Sequence, residues 1–197
     1  VIFDFGNVLV RWEPELVYKE YFGDEAKAWW FLRHVADLDW RQRIDVGESQ
    51  DGCIEELQER YPDYREAIAL YRDKWREMLT DEVPGMRELL VELRDKNHEI
   101  YGLTNWSMET FPEARRRFAI LQIIDRYVVS AEEKLVKPDP RLFQVLLDRY
   151  GLRAEECIFV DDRETNLAGA EIAGMQSLIF RETERFLKDI KALGISI

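Results

Sequence analysis

Asp4, Thr104, Lys137, Asp161 and Asp162 are the residues of this 197-residue chain whose types and positions suit shared chemistry. Each follows an apolar run. Val1-Ile2-Phe3 reaches Asp4 and turns through Gly6-Asn7. Glu99–Leu103 stops at Thr104-Asn105. Tyr127-Val128-Val129 ends at Ser130, with Lys137 a short loop later, and Cys157–Val160 runs straight into Asp161-Asp162. Short, continuously apolar runs mark strands buried on both faces of a parallel sheet. In an open α/β sheet, ligands sit outside the carboxyl ends of such strands. Taken singly, each polar residue has a plainer use: a hydroxyl or carboxylate here caps the next helix, and a lysine before proline is usually solvated. Their joint placement, strand end after strand end, sets them apart.

Three carboxylates at one crevice repel, which favours a divalent cation between them. Oxygen ligands alone point to Mg²⁺, which shares its coordination with waters and substrate phosphate. A lysine and a hydroxyl at the same mouth hold phosphoryl oxygens. A carboxylate that touches both metal and phosphate can attack phosphorus and form an aspartyl-phosphate. The chain has only two histidines and no serine in a nucleophile elbow, which argues against a Ser-His-Asp hydrolase.

The elements that must position these groups alternate. After Val83-Pro84-Gly85, helix Met86–Lys96 precedes the second strand. Helices around Phe111–Phe118, Leu142–Leu147, Ala168–Ala173 and Phe186–Leu193 separate the rest, with a fifth strand at Ser177–Phe180 and Thr183 as cap of the last helix. Such alternation means a parallel sheet with right-handed crossovers. Residues from Glu13-Pro14-Glu15 to about Thr80 read as helical throughout, and five of the six tryptophans lie there or at its edge. This stretch is an insertion, roughly residues 12–82, above the strand ends.

Apolar residues make up 46% and charged residues 35% of the chain, ordinary for a globular protein. The net charge of −12 argues against nucleic acid or an anionic membrane as partner. Cys53 and Cys157 fit no metal or redox spacing and suit a reducing cytoplasm. The sequon at Asn105-Trp106-Ser107 is read as chance.

With these residues placed, the chain resembles the haloacid dehalogenase superfamily of phosphohydrolases, and all four of that family's motifs occur in order. Asp4-Phe5-Gly6-Asn7-Val8 resembles the nucleophile loop, Leu103-Thr104-Asn105 the phosphate-binding second motif, Lys137 in Lys-Pro-Asp-Pro the third, and Val160-Asp161-Asp162 with Asn166 the acidic fourth. The resemblance implies a Rossmann-like core of residues 1–11 and 83–197 with strand order 3-2-1-4-5, and a C1-type α-helical cap at 12–82. It implies Asp4 as nucleophile and Lys137 as the lysine that steadies it. Phosphate falls to Thr104, the Asn105 backbone and Lys137, and Mg²⁺ to Asp4, the Gly6 carbonyl, Asp162 and Asp161. The substrate implied is a small phosphorylated metabolite, with sugar phosphates favoured because the Gly-Leu-Thr-Asn-Trp-Ser form resembles the α-D-glucose-1-phosphatase branch. Metal-independent 2-haloacid dehalogenation and a catalytically retired binding protein are the alternatives. One departure matters. Most family phosphatases carry a second Asp two residues after the nucleophile to protonate the leaving oxygen, where this chain has Gly6. Asp45, His34 and Glu48 are the candidate replacements in the insertion, and Trp40, Arg41, Arg43 and Asp45 the candidates for specificity.

Overall fold

The computed structural model describes residues 1–197. Five parallel strands form the main sheet: β1 (Ile2–Phe3), β4 (Tyr101–Thr104), β5 (Tyr127–Val129), β6 (Ile158–Asp161) and β7 (Gln176–Ile179). Their spatial order is β5-β4-β1-β6-β7, which is the expected 3-2-1-4-5 among the sheet's own strands. Successive side chains alternate between the two faces, as strand geometry requires. Phe3, Val129, Ile158 and Val160 join one core, and Ile2, Val128 and Phe159 the other. Helices α7 (Met86–Asp95), α8 (Phe111–Arg117), α9 (Ile120–Ile123) and α13 (Thr183–Ala192) cover the first face. On the opposite face lie α11 (Pro140–Tyr150) and α12 (Glu164–Ile172). The short α10 (Ser130–Glu133) continues directly from β5. No helix is long and apolar enough to cross a membrane.

The insertion is helical from α1 (Pro14–Phe22) through α2 (Glu25–His34), α3 (Leu38–Asp45), α4 (Gln50–Arg60), α5 (Arg65–Asp73) and α6 (Trp75–Met78). Sixteen buried residues between Val17 and Met78 give it a core of its own. The sequence reads it as helix to its end, but two strands close it. β2 (Val10–Trp12) pairs antiparallel with β3 (Leu79–Glu82), Val10 against Glu82 and Trp12 against Leu79. This ribbon is the stem on which the helices stand. It escapes a local reading because each strand finds its partner almost seventy residues away, and Thr80-Asp81-Glu82 has the polarity of a helix end. Thr183 is a second difference: its hydroxyl donates to the Pro84 carbonyl, tying α13 to the turn before α7 instead of capping its own helix.

Two glycines allow close approaches that hold the strand ends. A Cβ on Gly102 would lie 2.4 Å from the Phe5 ring, which stacks on Phe111 directly behind Asp4. A Cβ on Gly169 would lie 2.2 Å from the Pro138 carbonyl. The small residues of α12 therefore admit the loop that carries Lys137 as well as packing on the sheet. Gly102→Ala should force the Phe5 ring off its seat and cost about 1–3 kcal/mol. Urea unfolding should show this as a lower midpoint at unchanged slope.

Candidate active site

Lys137 organises the strand ends. Its side chain is 1% exposed, and its Nζ lies 2.9 Å from Asp4 Oδ1 and 2.7 Å from Asp161 Oδ2. The loop that presents it is clamped from both sides by Asn105, whose Oδ1 accepts from the Lys137 N–H (2.8 Å) and whose Nδ2 donates to the Lys137 carbonyl (3.1 Å). Burial pushes the ammonium's pKa down, but the facing charges of Asp161 and Asp4 outweigh it and leave the group raised. Asp4, at the end of β1, is itself buried. Desolvation drives its pKa upward; Lys137 opposes, and Asp161 and Asp162 add to the rise.

The neighbouring carboxylates divide their work. Both Asp161 oxygens are engaged: Oδ1 accepts from the Arg163 N–H and Asn166 Nδ2, each at 2.9 Å, and Oδ2 from Asn166 Nδ2 (3.0 Å) and Lys137. Asp162 is half-buried and its carboxylate receives a single hydrogen bond, 3.3 Å from Asn7 Nδ2 to Oδ2. Its pKa is also pushed up, by desolvation and then by Asp161. Asn7 reaches it from the left-handed region at φ 56°, which asparagine tolerates better than other side chains. Its own Oδ1 accepts from the Trp12 N–H and so ties the loop to the end of β2.

This donor set fits a divalent cation. Asp4, Asp161 and Asp162 offer oxygens within 4.8 Å of one another, close to the ~4 Å across a Mg²⁺ octahedron, and only one lysine offsets three carboxylates. With Asp161 held by Lys137 and Asn166, the free lone pairs belong to Asp162 and Asp4. At the end of β4, the strand next to β1, the Thr104 hydroxyl is buried with no hydrogen-bond partner in the chain. A buried orphan polar group carries a cost of about 1–3 kcal/mol, which a phosphoryl oxygen would remove.

The strand ends open into a crevice of about 400 Å³ against the inserted helices, which Asp4, Gly6, Asn105, Lys137 and Asp162 line and Thr104 and Asp161 do not. Other expectations fall elsewhere. Ser130 is committed to the insertion: its Oγ donates to the Asp45 carbonyl (2.5 Å) and accepts from the Trp106 N–H (2.9 Å). Trp40 is buried, donating its indole N–H to the Cys53 carbonyl, and Arg43 pairs with Glu48 and Glu56 at the surface. His34 stacks on Trp30 on an exposed face. Of the insertion residues singled out, Arg41 and Asp45 face the crevice. Sequence reasoning passed over Asn7, Tyr71 and Arg163, which also line it. The Gly-Asn turn was the available signal for Asn7; nothing local marked the other two.

A family model for haloacid dehalogenase-like hydrolases matches residues 1–180. The chain belongs to that family. Its relatives include acyl-CoA dehydrogenase family member 10 of Mus musculus, 34% identical over 59% of this chain. That match takes in only 11% of the mouse protein. The sesquiterpene phosphatase astK of Aspergillus oryzae is 28% identical over 90% of this chain and 87% of its own length. A haloacid dehalogenase-family enzyme of Bacteroides thetaiotaomicron, solved with magnesium and inorganic phosphate, superposes with a TM-score of 0.70 at 20% identity. It covers 94% of this chain and 96% of that one, and it shows the shared fold.

Replacing Lys137 by Met leaves two buried carboxylates facing each other without a counter-charge. The variant should lose about 3–5 kcal/mol of stability in metal-free buffer, measured by urea unfolding in EDTA.

Proposed function

We propose that this family member is a Mg²⁺-dependent phosphatase of small phosphorylated metabolites, and that Asp4 is its nucleophile. The observation that carries the reading is the seating of one buried ammonium against Asp4 and Asp161 beside an unpartnered Thr104 hydroxyl. That arrangement offers a nucleophile, a phosphate clamp and metal-ready oxygens at neighbouring strand ends, with Asp4, Lys137 and Asp162 open to one crevice. The family membership and the phosphatase among its relatives support it.

In this reading residues 12–82 form a C1-type cap over a core of 1–11 and 83–197. Asp4, Asp162 and the Gly6 carbonyl hold the metal, with Asp161 close by. A Mg²⁺ held there would supply positive charge that neutralises phosphate and favours the ionised Asp4. Asp4 attacks phosphorus in line with the departing oxygen. Lys137, the Thr104 hydroxyl and the Asn105 backbone stabilise the equatorial oxygens as charge builds. Asp161 takes no part in bond making; held by Asn166, it fixes the Lys137 ammonium beside the Asp4 carboxylate. Water then cleaves the aspartyl-phosphate and frees inorganic phosphate. Trp12 and Tyr71 give the crevice aromatic walls, and Arg41, Gln42 and Gln50 polar ones. That mixture suits a hydroxylated substrate of sugar-phosphate size. Cys53 and Cys157 are buried and unpaired, in keeping with a cytoplasmic setting.

Asp4→Asn should cut Mg²⁺-dependent hydrolysis of p-nitrophenyl phosphate by about a thousandfold or more, and EDTA should do the same to the unmodified protein. Halide release from 2-chloropropionate without Mg²⁺ would overturn the reading in favour of dehalogenation. The two acidic neighbours should separate in calorimetry and unfolding. Asp162→Asn should weaken Mg²⁺ binding about 10–100-fold at near-normal stability, whereas Asp161→Asn should chiefly lower stability.

A further inference from the structure

A phosphate ester of an aliphatic alcohol leaves as an alkoxide unless a proton reaches its oxygen during bond breaking. The nucleophile loop offers no donor, because Gly6 has no side chain, and a Cβ built there meets nothing within 4 Å. The proton must come from elsewhere in the crevice. Neither histidine lines it. Asp4 and Asp162 are occupied as nucleophile and metal ligand, and Lys137 is locked between two carboxylates. Arg41 and Arg163 do not release protons near neutrality. Burial pushes the Tyr71 phenol far up, so it holds its proton too tightly to serve as an efficient acid.

Asp45 is the group left. It ends α3 and lines the crevice with Asp4 and Lys137. Its position is set through the backbone: its carbonyl accepts the Ser130 hydroxyl, and two residues on the Gly47 carbonyl accepts Lys134 Nζ at 3.1 Å. A Cβ on Gly47 would lie 2.3 Å from Lys134 Nζ, so this corner of the insertion is pressed against α10. The anchoring leaves the Asp45 carboxyl with no hydrogen-bond partner in the chain, although every other role in the crevice is filled. We propose that Asp45, supplied by the inserted helices, is the proton donor to the leaving oxygen.

The step balances. The bond from Asp4 to phosphorus forms as the ester P–O bond breaks, and the Asp45 proton passes to the departing oxygen. In the second half-reaction the Asp45 carboxylate takes a proton from the water that attacks phosphorus. That cleaves the aspartyl-phosphate, frees inorganic phosphate and restores both carboxyl groups. The environment of Asp45 suits this cycle. Burial lifts its carboxyl to about 7, against the opposing pull of Arg41 on its own helix and of Lys137 and Arg163 from the core; Tyr71, from α5, also faces it. A donor of this kind is charged with its proton below about pH 7 and loses it above, so the rate should fall on the alkaline side.

The inference rests on the phosphatase reading, and leaving-group dependence separates the two. Unmodified protein, Asp45→Asn and the double variant Asp45→Asn/Gly6→Asp should be compared with Mg²⁺ on p-nitrophenyl phosphate, whose leaving group needs no proton, and on phenyl phosphate, whose leaving group does. Asp45→Asn should lose about 100-fold or more on phenyl phosphate and less than about tenfold on p-nitrophenyl phosphate. It should also lose the alkaline limb of the kcat profile. Gly6→Asp should restore phenyl phosphate turnover in the double variant, which only a correctly folded Asp45→Asn background permits. Equal loss on both esters, or loss on neither, overturns the role of Asp45 while leaving the phosphatase reading standing. No turnover of either ester by the unmodified protein overturns both.

Discussion

One ammonium buried between two carboxylates governs this structure. A lysine sealed from water is tolerable only with charge beside it, and a carboxylate at the end of a central strand is tolerable on the same terms. Lys137, Asp4 and Asp161 meet that need mutually, so each fixes where the others sit. The surrounding devices serve the same point. Asn105 clamps the lysine backbone, Asn166 holds Asp161, and Gly169 lets α12 approach the Pro138 carbonyl without a side chain in between. The excess negative charge then sits at the edge of the cluster, on Asp4 and Asp162, where the crevice opens.

The placement of charge also explains how a strongly acidic chain can receive an anion. The net charge of −12 is a property of the whole surface. Within the crevice, Lys137, Arg41 and Arg163 face inward, and neither arginine is paired with a carboxylate. In a confined cleft the local field outweighs the distant one, because exposed charges are screened within about 8–10 Å. Arg41 comes from the insertion and the other two from the core, so the cationic wall exists only when the two parts meet. At the corner beside α10 they meet through backbone acceptors, the carbonyls of Asp45 and Gly47, which leaves the Asp45 carboxyl free of hydrogen bonds.

Much of this was legible in the chain. The strand ends at Asp4, Thr104 and Asp161 were readable because a buried parallel strand must be continuously apolar and a polar residue marks where burial stops. The parallel sheet followed from the alternation with helices, and the strand order from family resemblance. The stem was not legible, since β2 and β3 are three and four residues long and pair across almost seventy residues. Ser130 misled for a related reason. A hydroxyl at a strand end looks alike whether it faces a ligand or a carbonyl on another element, and here the carbonyl of Asp45 claims it.

The division between Asp161 and Asp162 shows where sequence ends. Their adjacency determined that an acidic pair would stand at the mouth of β6, because a strand delivers its last residues to a fixed place. Which of them stays available depends on Lys137, Asn166 and Asn7, brought together from three distant segments. The same holds for Asp45, one of three candidate acids in the insertion and the one among them that lines the crevice, where α3 packs on α10. Sequence alone set the residue types and the strand ends, since those follow from local burial and spacing. The partners of each polar atom were decided by tertiary packing, because hydrogen bonds and ion pairs between distant segments have no local signature.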